Sequence, residues 1–470
     1  MSSPSALLSS VDEMVPIVTP EQMRAIDAGS DVPPDQLIDR AGFSVARAAV
    51  AMLGGCYGRT VNIVAGPGNN GADGRVAATI LRSRGVRVRV FSTEQCPLSL
   101  PPADLVIDAA YGTGFRGTWD PPDIGGTPVL AVDIPSGVNA ITGQIDGEVL
   151  TATRTVTFGA MKFGLLNPPG SDVVGTVELA DIGLGISTDI DGGPRYAQLV
   201  ERDDVRAWWP VPCSDVHKWR VAVRIVAGSA VMSGAARFAA AGSIRAGAGI
   251  VHLSAPGSIL HLPAEVVQRE VPQSDWSEPV LSSLDRFQAL VVGPGLGRES
   301  HQADQIRRLV VQSPLPTVVD GDGLFALAWN ALGPSELLKQ RTAPTVLTPH
   351  DGEYAMLTGA PPDPDRLVAA RRLAAGTNSV VLLKGPATVV ADPQGRTLVV
   401  TSGDVRLATA GSGDVLAGMI GRLLAGGVPP LQAAASAAFV HGAAARRGLR
   451  IGFASGDLPL LVAQYLSELL

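Results

Sequence analysis

The sequence predicts two α/β domains, each built around a mostly parallel sheet. The chain has 470 residues, which is longer than the size at which one hydrophobic core keeps growing. Its composition, with 54 Gly, 46% hydrophobic residues and 4% aromatic residues, is typical of folds in which Gly-rich loops join buried strands. Short apolar runs also alternate with Gly-rich loops and amphipathic segments in both halves of the chain, which favours βαβ units.

Residues 60–92 show this alternation most clearly. An apolar run, a Gly-rich loop, a helical stretch and a second apolar run follow one another at Thr60–Ala65, Gly66–Gly74, Arg75–Arg84 and Val86–Ser92. Later apolar runs are expected to be further parallel strands buried on both faces, at Leu105–Ala109, Val129–Val132 and Thr155–Phe158. We therefore predict a doubly wound sheet in a first domain over residues 1–210.

A second alternating series predicts another α/β domain over residues 211–470. The junction is placed near residue 210 because residues 189–218 are rich in Asp, Gly, Pro and Trp and have no regular apolar pattern. Two Ala-rich helices are expected near the C-terminus, at Ser412–Leu424 and Pro430–Arg447. The expected strands are Val221–Ala227, Gly249–Leu253, Ala289–Val292, Pro316–Val319, Thr345–Leu347, Val380–Leu383, Thr388–Ala391 and Thr397–Val400.

Charge and cysteine content limit the classes of partner. The formal charge of −7 argues against nucleic-acid binding, which needs a basic face. Cys56, Cys96 and Cys213 are widely spaced and cannot all pair, so we expect small buried thiols in a reducing compartment. No run of about 18 apolar residues is present, so we expect no membrane span. We predict a cytoplasmic enzyme that acts on small molecules and forms a homo-oligomer.

The loop Gly66–Gly74 is the first candidate binding element. It follows a predicted strand and opens a predicted helix, so its backbone N–H groups favour an anion. It contains a GxGxxG pattern, and Glu94 lies where a dinucleotide-binding domain places its ribose-binding acid, so a dehydrogenase is one interpretation. Asn69, Asn70 and Asp73, however, fill the loop with side-chain oxygens, which suit a hard cation or hydroxyl groups better.

Two other strand ends carry matching chemistry. Asp108 is followed by the glycines of residues 112–117, and Asp133 by Ile134-Pro135-Ser136-Gly137. Ligands of open α/β sheets bind at the carboxyl ends of strands, so these loops should meet in one crevice. A carboxylate, a hydroxyl and an amide oxygen there can share a monovalent cation.

The motifs NNGAD, DAAYGTGF and DIPSG, in this order, resemble those of the NAD(P)H-hydrate epimerases over roughly residues 15–205. The resemblance implies a Rossmann-like domain in which Asn70, Asp108 and Ser136 hold potassium. The family pattern has Gly where this chain has Ala72, which adds one methyl group to the loop. Residues implied to contact the hydrated dinucleotide are Asn69, Asn70, Gly71, Ala72, Asp73, Gly112, Thr113, Gly114, Phe115, Arg116, Gly117, Thr118 and Asp133.

Epimerising a hydroxyl at C6 of a hydrated nicotinamide ring requires reversible proton transfer while the ring nitrogen expels and recaptures that hydroxyl. One carboxylate in the site suffices as acid and base. We predict Asp133 for this role, with Lys162 as its electrostatic partner. Lysine is scarce in this chain, and Lys162 stands between flanking glycines, which favours a role for it over that of a solvated loop residue.

The segment Ala410-Gly411-Ser412-Gly413-Asp414 precedes a predicted helix and is the second candidate site. Successive N–H groups at the helix start form an anion hole with a carboxylate beside it. Such a carboxylate can take a proton from a hydroxyl that attacks a phosphoryl group. The plainer interpretation of Asp414 is a helix cap, but Gly on both sides of Ser412 indicates a need for backbone clearance.

Further motifs in the second half fit the same chemistry. Gly293–Gly297 follows a strand, Asp320–Leu324 and Thr348–Glu353 carry acidic groups, and Lys384 ends a strand before Gly385. Lys384 can therefore meet a nucleotide phosphate as a point charge. His350 alone is more often a satisfied loop residue than a ligand.

Together these motifs resemble the ADP- or ATP-dependent NAD(P)H-hydrate dehydratases over roughly residues 213–465. The resemblance implies a ribokinase-like domain, phosphorylation of the C6 hydroxyl with Asp414 as base, and magnesium with the ADP or ATP. Fusion with the first domain favours a bifunctional repair enzyme for NADHX and NADPHX over a vitamin kinase fused to a dinucleotide-binding domain or a non-catalytic nucleotide-binding module. The residues implied are Ala235, Gly297, His350 and Asp414 for the hydrated ring, and Lys384, Gly385, Pro386, Ala387, Thr388 and Gly413 for the nucleotide.

Overall fold

The computed structural model describes residues 14–186, 189–190, 193–194, 196–211, 217–256 and 262–470. It divides into two compact units, residues 1–196 and 197–470. The division comes before the expected junction near residue 210, because the strand Ala197–Leu199 pairs with Thr397–Val400 of the second unit. Cys213, one of the three cysteines discussed above, lies outside the described residues.

The first unit contains a doubly wound sheet of six strands, as predicted. The six strands of this sheet are β2 (Thr60–Ala65), β3 (Arg87–Ser92), β4 (Leu105–Ala109), β5 (Val129–Val132), β6 (Arg154–Phe158) and β7 (Thr176–Ala180). The unit also contains three short strands outside this sheet, β1 (Val15–Ile17), β8 (Asp189–Ile190) and β9 (Gly193–Pro194). Its helices are α1 (Pro20–Gly29), α2 (Pro34–Leu53) and α3 (Asn69–Ser83). The sheet order is β3-β2-β4-β5-β6-β7, with every neighbouring pair parallel.

Helix α3 begins at Asn69. This is six residues before Arg75, where the sequence predicted the helix to start. Glycines explain how the helix starts so close to the strands. A Cβ at Gly66 would lie 1.9 Å from the carbonyl oxygen of Ala110, and one at Gly71 would lie 1.9 Å from that of Gly66. The tight strand-to-helix turn therefore depends on backbone that carries no side chain, and it brings the first turn of α3 to the ends of β2 and β4.

The second unit is a larger α/β fold. Its strands are β10 (Ala197–Leu199), β11 (Ala222–Val226), β12 (Ile250–Ser254), β13 (Val266–Gln268), β14 (Ala289–Val292), β15 (Thr317–Val319), β16 (Thr345–Leu347), β17 (Val380–Leu383), β18 (Thr388–Ala391) and β19 (Thr397–Val400). Its helices are α4 (Arg202–Trp208), α5 (Ser233–Arg245), α6 (Ser277–Leu281), α7 (Ser300–Gln312), α8 (Asp322–Ala328), α9 (Gly333–Leu338), α10 (Asp351–Thr358), α11 (Arg366–Thr377), α12 (Ser412–Ala425), α13 (Pro430–Ala445) and α14 (Leu458–Leu469).

The strands of this unit lie in the order β10-β19-β18-β17-β16-β15-β14-β11-β12-β13. Pairing is parallel except on the two sides of β18, where β17 and β19 run antiparallel to it. The central strands β11, β14 and β17 are buried at every residue, as expected of Val-, Ile- and Leu-rich strands covered on both faces. Within the described residues, no helix is both long and apolar enough to cross a membrane.

Candidate active sites

A cavity of about 480 Å³ opens at the carboxyl ends of the strands in the first unit. Nine residues predicted from the sequence line it: Asn69, Asn70, Asp73, Gly112, Thr113, Gly114, Phe115, Asp133 and Lys162. Other predicted contacts are outside the described lining, namely Gly71, Ala72, Arg116, Gly117 and Thr118. The expected convergence of three strand-end loops on one crevice is therefore present.

Lys162 and Asp133 form the charged centre of this cavity. Lys162 is 1% exposed, and its Nζ donates to Asp133 Oδ1 at 2.6 Å, to Thr157 Oγ1 at 2.8 Å and to the carbonyl oxygen of Phe158 at 3.2 Å. These three acceptors use all three N–H groups of the ammonium. Thr157 Oγ1 also donates to Asp133 Oδ1 at 3.0 Å. One carboxylate oxygen of Asp133 is thus fixed by two donors, and Oδ2 is left for a ligand.

The backbone of Asp133 is unusual, because its φ is +67°. Non-Gly residues seldom adopt this left-handed conformation, and Asp and Asn tolerate it best. The conformation follows the end of β5, where the Asp133 N–H donates to the carbonyl oxygen of Val156 at 2.7 Å. The sheet therefore sets the direction of this side chain.

Two more carboxyl groups line the same cavity. Burial, and then the charges of Asp133 and Asp27, raise the pKa of Asp73 to about 8. Burial also raises the pKa of Asp27, with Lys162 lowering it and Asp133 raising it further. Sequence reasoning missed Asp27, which lies on α1. A sequence signal for helix α1 was present, since Thr19 and Gln22 form a capping box and Pro20 stands at the first helical position.

Of the three residues implied to hold potassium, Asn70 lines the cavity, whereas Asp108 and Ser136 are buried and are not part of its described lining. Asp108 is fully buried and accepts from Ser136 Oγ at 2.6 Å and from Ser136 N at 2.9 Å. The side-chain oxygen and nitrogen of Asn70 are both buried and have no hydrogen-bond partner. A buried amide without hydrogen-bond partners is energetically unfavourable. A ligand that binds the amide oxygen of Asn70 would therefore be stabilised there.

Ala72, where the family pattern has Gly, is not among the residues that line the cavity. Ala72 lies in the first turn of α3, where its N–H donates to the carbonyl oxygen of Gly68 at 3.1 Å. Its side chain is half-buried.

The second candidate site gathers at the start of α12. Gly411 has φ +92°, and a Cβ on Gly413 would lie 3.3 Å from Lys384 Nζ, so both glycines have the geometric reason that the sequence suggested. Asp414 follows in the first turn of the helix. Burial, and then the charge of Asp320, raise the pKa of Asp414 to about 7, although Lys384 opposes the shift.

Lys384 pairs with carboxylates other than Asp414. Its Nζ donates to Asp320 Oδ1 at 2.7 Å and lies 3.9 Å from Glu353 Oε2. Burial lowers the pKa of Lys384, but Asp320 and Glu353 outweigh burial and raise it. Asp320 and Glu353 lie in two of the sequence motifs, but the motifs did not predict a role for either residue. Only the fold shows that they hold the lysine.

Other predicted residues surround this cluster. His350 caps α10, and its Nδ1 accepts from the N–H groups of Gly352 and Glu353 at 3.0 and 3.2 Å. The N–H of Gly297 donates to Asp322 Oδ2 at 3.0 Å, and Ala235 is buried on α5. Of the predicted nucleotide segment, Gly385 and Pro386 are exposed, Ala387 is buried and Thr388 begins β18.

Comparison with known proteins agrees with both halves. Residues 223–467 match a family model described as NAD(P)H-hydrate dehydratase, and residues 34–100 and 92–164 match one described as YjeF-related protein N-terminus. The chain is 37% identical to a bifunctional NAD(P)H-hydrate repair enzyme Nnr from Mycobacterium leprae, over 94% of this chain and 95% of the relative. It is 34% identical to the protein of the same name from Moorella thermoacetica, over 94% and 95%.

Solved structures with a similar fold support the family assignment of the second unit. An ADP/ATP-dependent NAD(P)H-hydrate dehydratase from Bacillus subtilis, co-crystallised with ATP and Mg²⁺, matches with 28% identity and a TM-score of 0.50, over 57% of this chain and 98% of that one. A ribokinase-like superfamily protein from Enterococcus faecalis matches with 20% identity and a TM-score of 0.50, over 60% and 99%, which confirms the predicted ribokinase-like fold. This chain belongs to the family of bifunctional NAD(P)H-hydrate repair enzymes.

Proposed function

We propose that this chain repairs hydrated nicotinamide dinucleotides in two steps. The first unit interconverts the R and S epimers of NADHX and NADPHX, and the second dehydrates the S epimer to NADH or NADPH with ADP or ATP as phosphoryl donor. The observation that carries the proposal is the presence, on one chain of this family, of two separate carboxylate–lysine sites at strand ends. Each site has a carboxyl group suited to one of the two reactions.

In the first unit we assign proton transfer to Asp133. Asp133 lines the cavity, and Lys162 and Thr157 both donate to its Oδ1, so we assign the proton transfer to Oδ2. When the ring nitrogen expels the C6 hydroxyl, the departing oxygen needs a proton. When the hydroxyl returns to the other face of the ring, a proton must be removed. A positioned carboxyl group serves both directions. The first turn of α3 and the segment 112–115 would contact the rest of the substrate.

We also propose that Asn70, Asp108 and Ser136 hold a potassium ion. The unpartnered amide of Asn70 is the observation that supports it. A bound cation would supply positive charge next to the substrate. The test is epimerase activity in potassium compared with sodium at equal ionic strength, together with potassium-dependent stabilisation of the protein. The Asn70→Ala variant should lose both effects.

In the second unit we assign the base to Asp414. A carboxyl group with a pKa of about 7 is matched to accepting a proton at neutral pH. The C6 hydroxyl gives its proton to Asp414 as its oxygen bonds to the terminal phosphorus of ADP, and AMP leaves. Phosphate then departs from C6 and a proton leaves C5, which restores the ring double bond. Lys384 and the N–H groups at the start of α12 would meet the transferred phosphoryl group.

We propose that magnesium enters the second site together with the nucleotide. The described residues contain no group of three His, Cys, Asp or Glu side chains placed to hold a metal, so Asp320, Glu353 and Asp414 around Lys384 would share the ion with phosphate oxygens. Bound with the nucleotide, the ion would neutralise charge on the transferred phosphoryl group. Whether ADP or ATP is preferred is tested by turnover at equal concentrations, and we predict ADP.

The deciding experiment supplies both NADHX epimers with ADP, magnesium and potassium and follows the return of NADH absorbance. Full conversion supports both activities. Conversion that stops after one epimer removes the epimerase assignment and keeps the dehydratase. No conversion with ADP or with ATP returns the second unit to the vitamin-kinase alternative, which a screen of hydroxylated vitamins would then test.

The surroundings in which the enzyme works are also proposals. Cys56 and Cys96 are free thiols, which supports a reducing cytoplasm as the compartment. The homo-oligomer stays a prediction, and light scattering on the purified chain measures it directly.

A further inference from the structure

A group of basic side chains lies at one end of the second sheet, on β11, β12 and the segments beside them. We call Lys218, Arg224, His252, Arg269 and Arg286 the basic cluster. Arg224 on β11 lies directly beside His252 on β12 in the parallel register. Arg269 follows β13 and its Nε donates to His252 Nδ1 at 3.5 Å. The guanidinium of Arg286 lies 3.7 Å from the ring centre of Trp219, the residue after Lys218.

Arg224 is the buried member of the basic cluster. It is 2% exposed, and its Nη2 donates to Ser254 Oγ at 2.7 Å. Its Nε and Nη1 are buried and have no hydrogen-bond partner, and its Cζ lies 5.8 Å from the ring centre of Phe287. A guanidinium has five N–H donors, and leaving several of them unmet inside a protein is strongly unfavourable.

The four Lys and Arg side chains of the basic cluster have no salt-bridge partner among the described residues. His252 adds no positive charge at neutral pH, because burial and the neighbouring Arg269, Arg224, Arg286 and Lys218 lower its pKa to about 4. The neutral imidazole therefore accepts a hydrogen bond from Arg269 and lies beside Arg224.

Aromatic rings lie beside two of the cations. The Arg286 guanidinium is 3.7 Å from the ring centre of Trp219, and that of Arg224 is 5.8 Å from the ring centre of Phe287. Trp219, His252 and Phe287 pack edge to face, with ring centres 5.0 to 5.8 Å apart. A cation-π contact leaves the N–H groups of a guanidinium free to bind an anion.

We propose that the basic cluster binds a phosphate-bearing anion, as free phosphate or as a phosphate monoester. Arg224 turns its unmet N–H groups toward the anion, and Arg269, Arg286 and Lys218 complete the site from the surface. Several cations without a carboxylate favour a dianion over a single carboxylate, and planar guanidinium groups bind phosphate oxygens in pairs. The basic cluster shares no residue with the two active sites proposed above, and the proposal does not depend on the proposed function.

The test measures thermal unfolding while phosphate replaces chloride at constant ionic strength, with ADP and magnesium present to occupy the nucleotide site. We expect the melting temperature of the wild type to rise by a few degrees and to saturate. Arg224→Met and Arg269→Gln should lose this rise, whereas Arg450→Gln, which changes an exposed arginine outside the basic cluster, should keep it. A parallel titration with glycerol phosphate distinguishes free phosphate from a monoester.

Arg224→Met supplies an independent check, because it removes the buried charge. Without phosphate, its melting temperature should exceed that of the wild type. The proposal is overturned if the wild type shows no saturable rise or if Arg224→Met keeps the full rise. It is also overturned if Arg269→Gln dissociates an oligomer while phosphate has no effect, since acidic groups of a second copy would then be the occupant.

Discussion

The two candidate active sites use the same pair of residue types in opposite ways. In the first unit, Lys162 gives a short hydrogen bond to Asp133, the carboxylate to which we assign proton transfer. In the second unit, Lys384 pairs with Asp320 and leaves Asp414 without an ion pair among the described residues. The pKa of Asp414 is therefore raised to about 7 by burial and by the neighbouring Asp320.

This difference matches the two reactions. Epimerisation is reversible and needs a carboxyl group that works in both directions, so a lysine that holds it in place is useful. Phosphoryl transfer needs a base that takes up one proton near neutral pH, and an unpaired carboxyl group with a raised pKa does so. We propose that the position of the lysine, together with that of the aspartate, suits each site to its task.

The largest effect is expected for Asp414→Asn. The amide cannot accept the hydroxyl proton, so dehydration should fall by about 10²–10⁴-fold, the usual contribution of a general base. NADH formation from the pure S epimer measures it. Epimerisation, followed by separating the two epimers, should be unchanged in the same variant. Equal loss of both activities would mean that the two sites are not independent.

Asp133→Asn makes the reciprocal test. Asn tolerates the positive φ of this position, so the backbone should keep its conformation. Epimerisation should fall by about 10²-fold or more, while dehydration of the S epimer stays at the wild-type rate. Retained epimerisation would move the proton-transfer role to another carboxyl group of the cavity, with Asp73 and Asp27 as the candidates.

Asp73 predicts a pH-dependent stability difference. Its folded pKa of about 8 lies above the ordinary value of 3.8, so the folded state binds the proton more tightly. Its contribution is most favourable below pH 4 and is lost as the pH rises toward 8. Asp73→Asn should therefore have a higher free energy of unfolding than the wild type at pH 9, by at most roughly 6 kcal/mol. This gain should be small at pH 4.

Asp104→Asn is the matched control for that experiment. Asp104 is exposed, and its pKa is lowered by hydrogen bonds from Thr60 and Arg59, so the sign reverses. This variant should be less stable than the wild type at neutral pH, and the loss should disappear as the pH falls through the lowered pKa. If Asp73→Asn follows the Asp104→Asn pattern, the Asp73 carboxyl is ionised in the folded protein.

The effect of Lys384 and Asp320 on Asp414 can be measured as a shift in the pH dependence of kcat/KM for dehydration. Asp320→Asn removes the largest charge effect that raises the Asp414 pKa, and Lys384→Gln removes the one that lowers it. The acidic limb of kcat/KM for dehydration should move to lower pH in the first variant and to higher pH in the second, by about one pH unit. The position of the limb is the readout, because both variants also change the rate itself. Movement in the same direction in both would contradict the pairing described above.

The smallest effect is expected at Ala72. Because Ala72 lies on α3 and is not among the residues that line the cavity, Ala72→Gly should change epimerisation only slightly. The same variant should lower stability by about 0.5–1 kcal/mol, since Gly is unfavourable inside a helix. A clear gain in epimerisation would show that the methyl group narrows the site.

Much of the fold was predictable because local patterns are strong in buried parallel strands. The strands β2, β4, β5, β14, β16, β17, β18 and β19 have the bounds expected from their apolar runs. Helix α1 was missed although its capping box is visible in the sequence, and the short strands β10 and β13 have weak patterns. The early start of α3 was also missed, because Asn-Asn-Gly resembles a loop until the close packing of Gly66 and Gly71 is known.

The sequence by itself determined which residue types meet at the strand ends, since parallel strands place their carboxyl ends at one edge and motif spacing follows from that. It also indicated the family, through NNGAD, DIPSG and the Gly-Ser-Gly-Asp segment before α12. The sequence also paired Lys162 with Asp133, and the two side chains are in contact. Only the tertiary structure decided that Lys384 holds Asp320, that Asn70 has an unmet amide, and that Asp27 joins the first cavity. These features depend on distances between segments far apart in the chain, and electrostatic effects of burial follow from those distances alone.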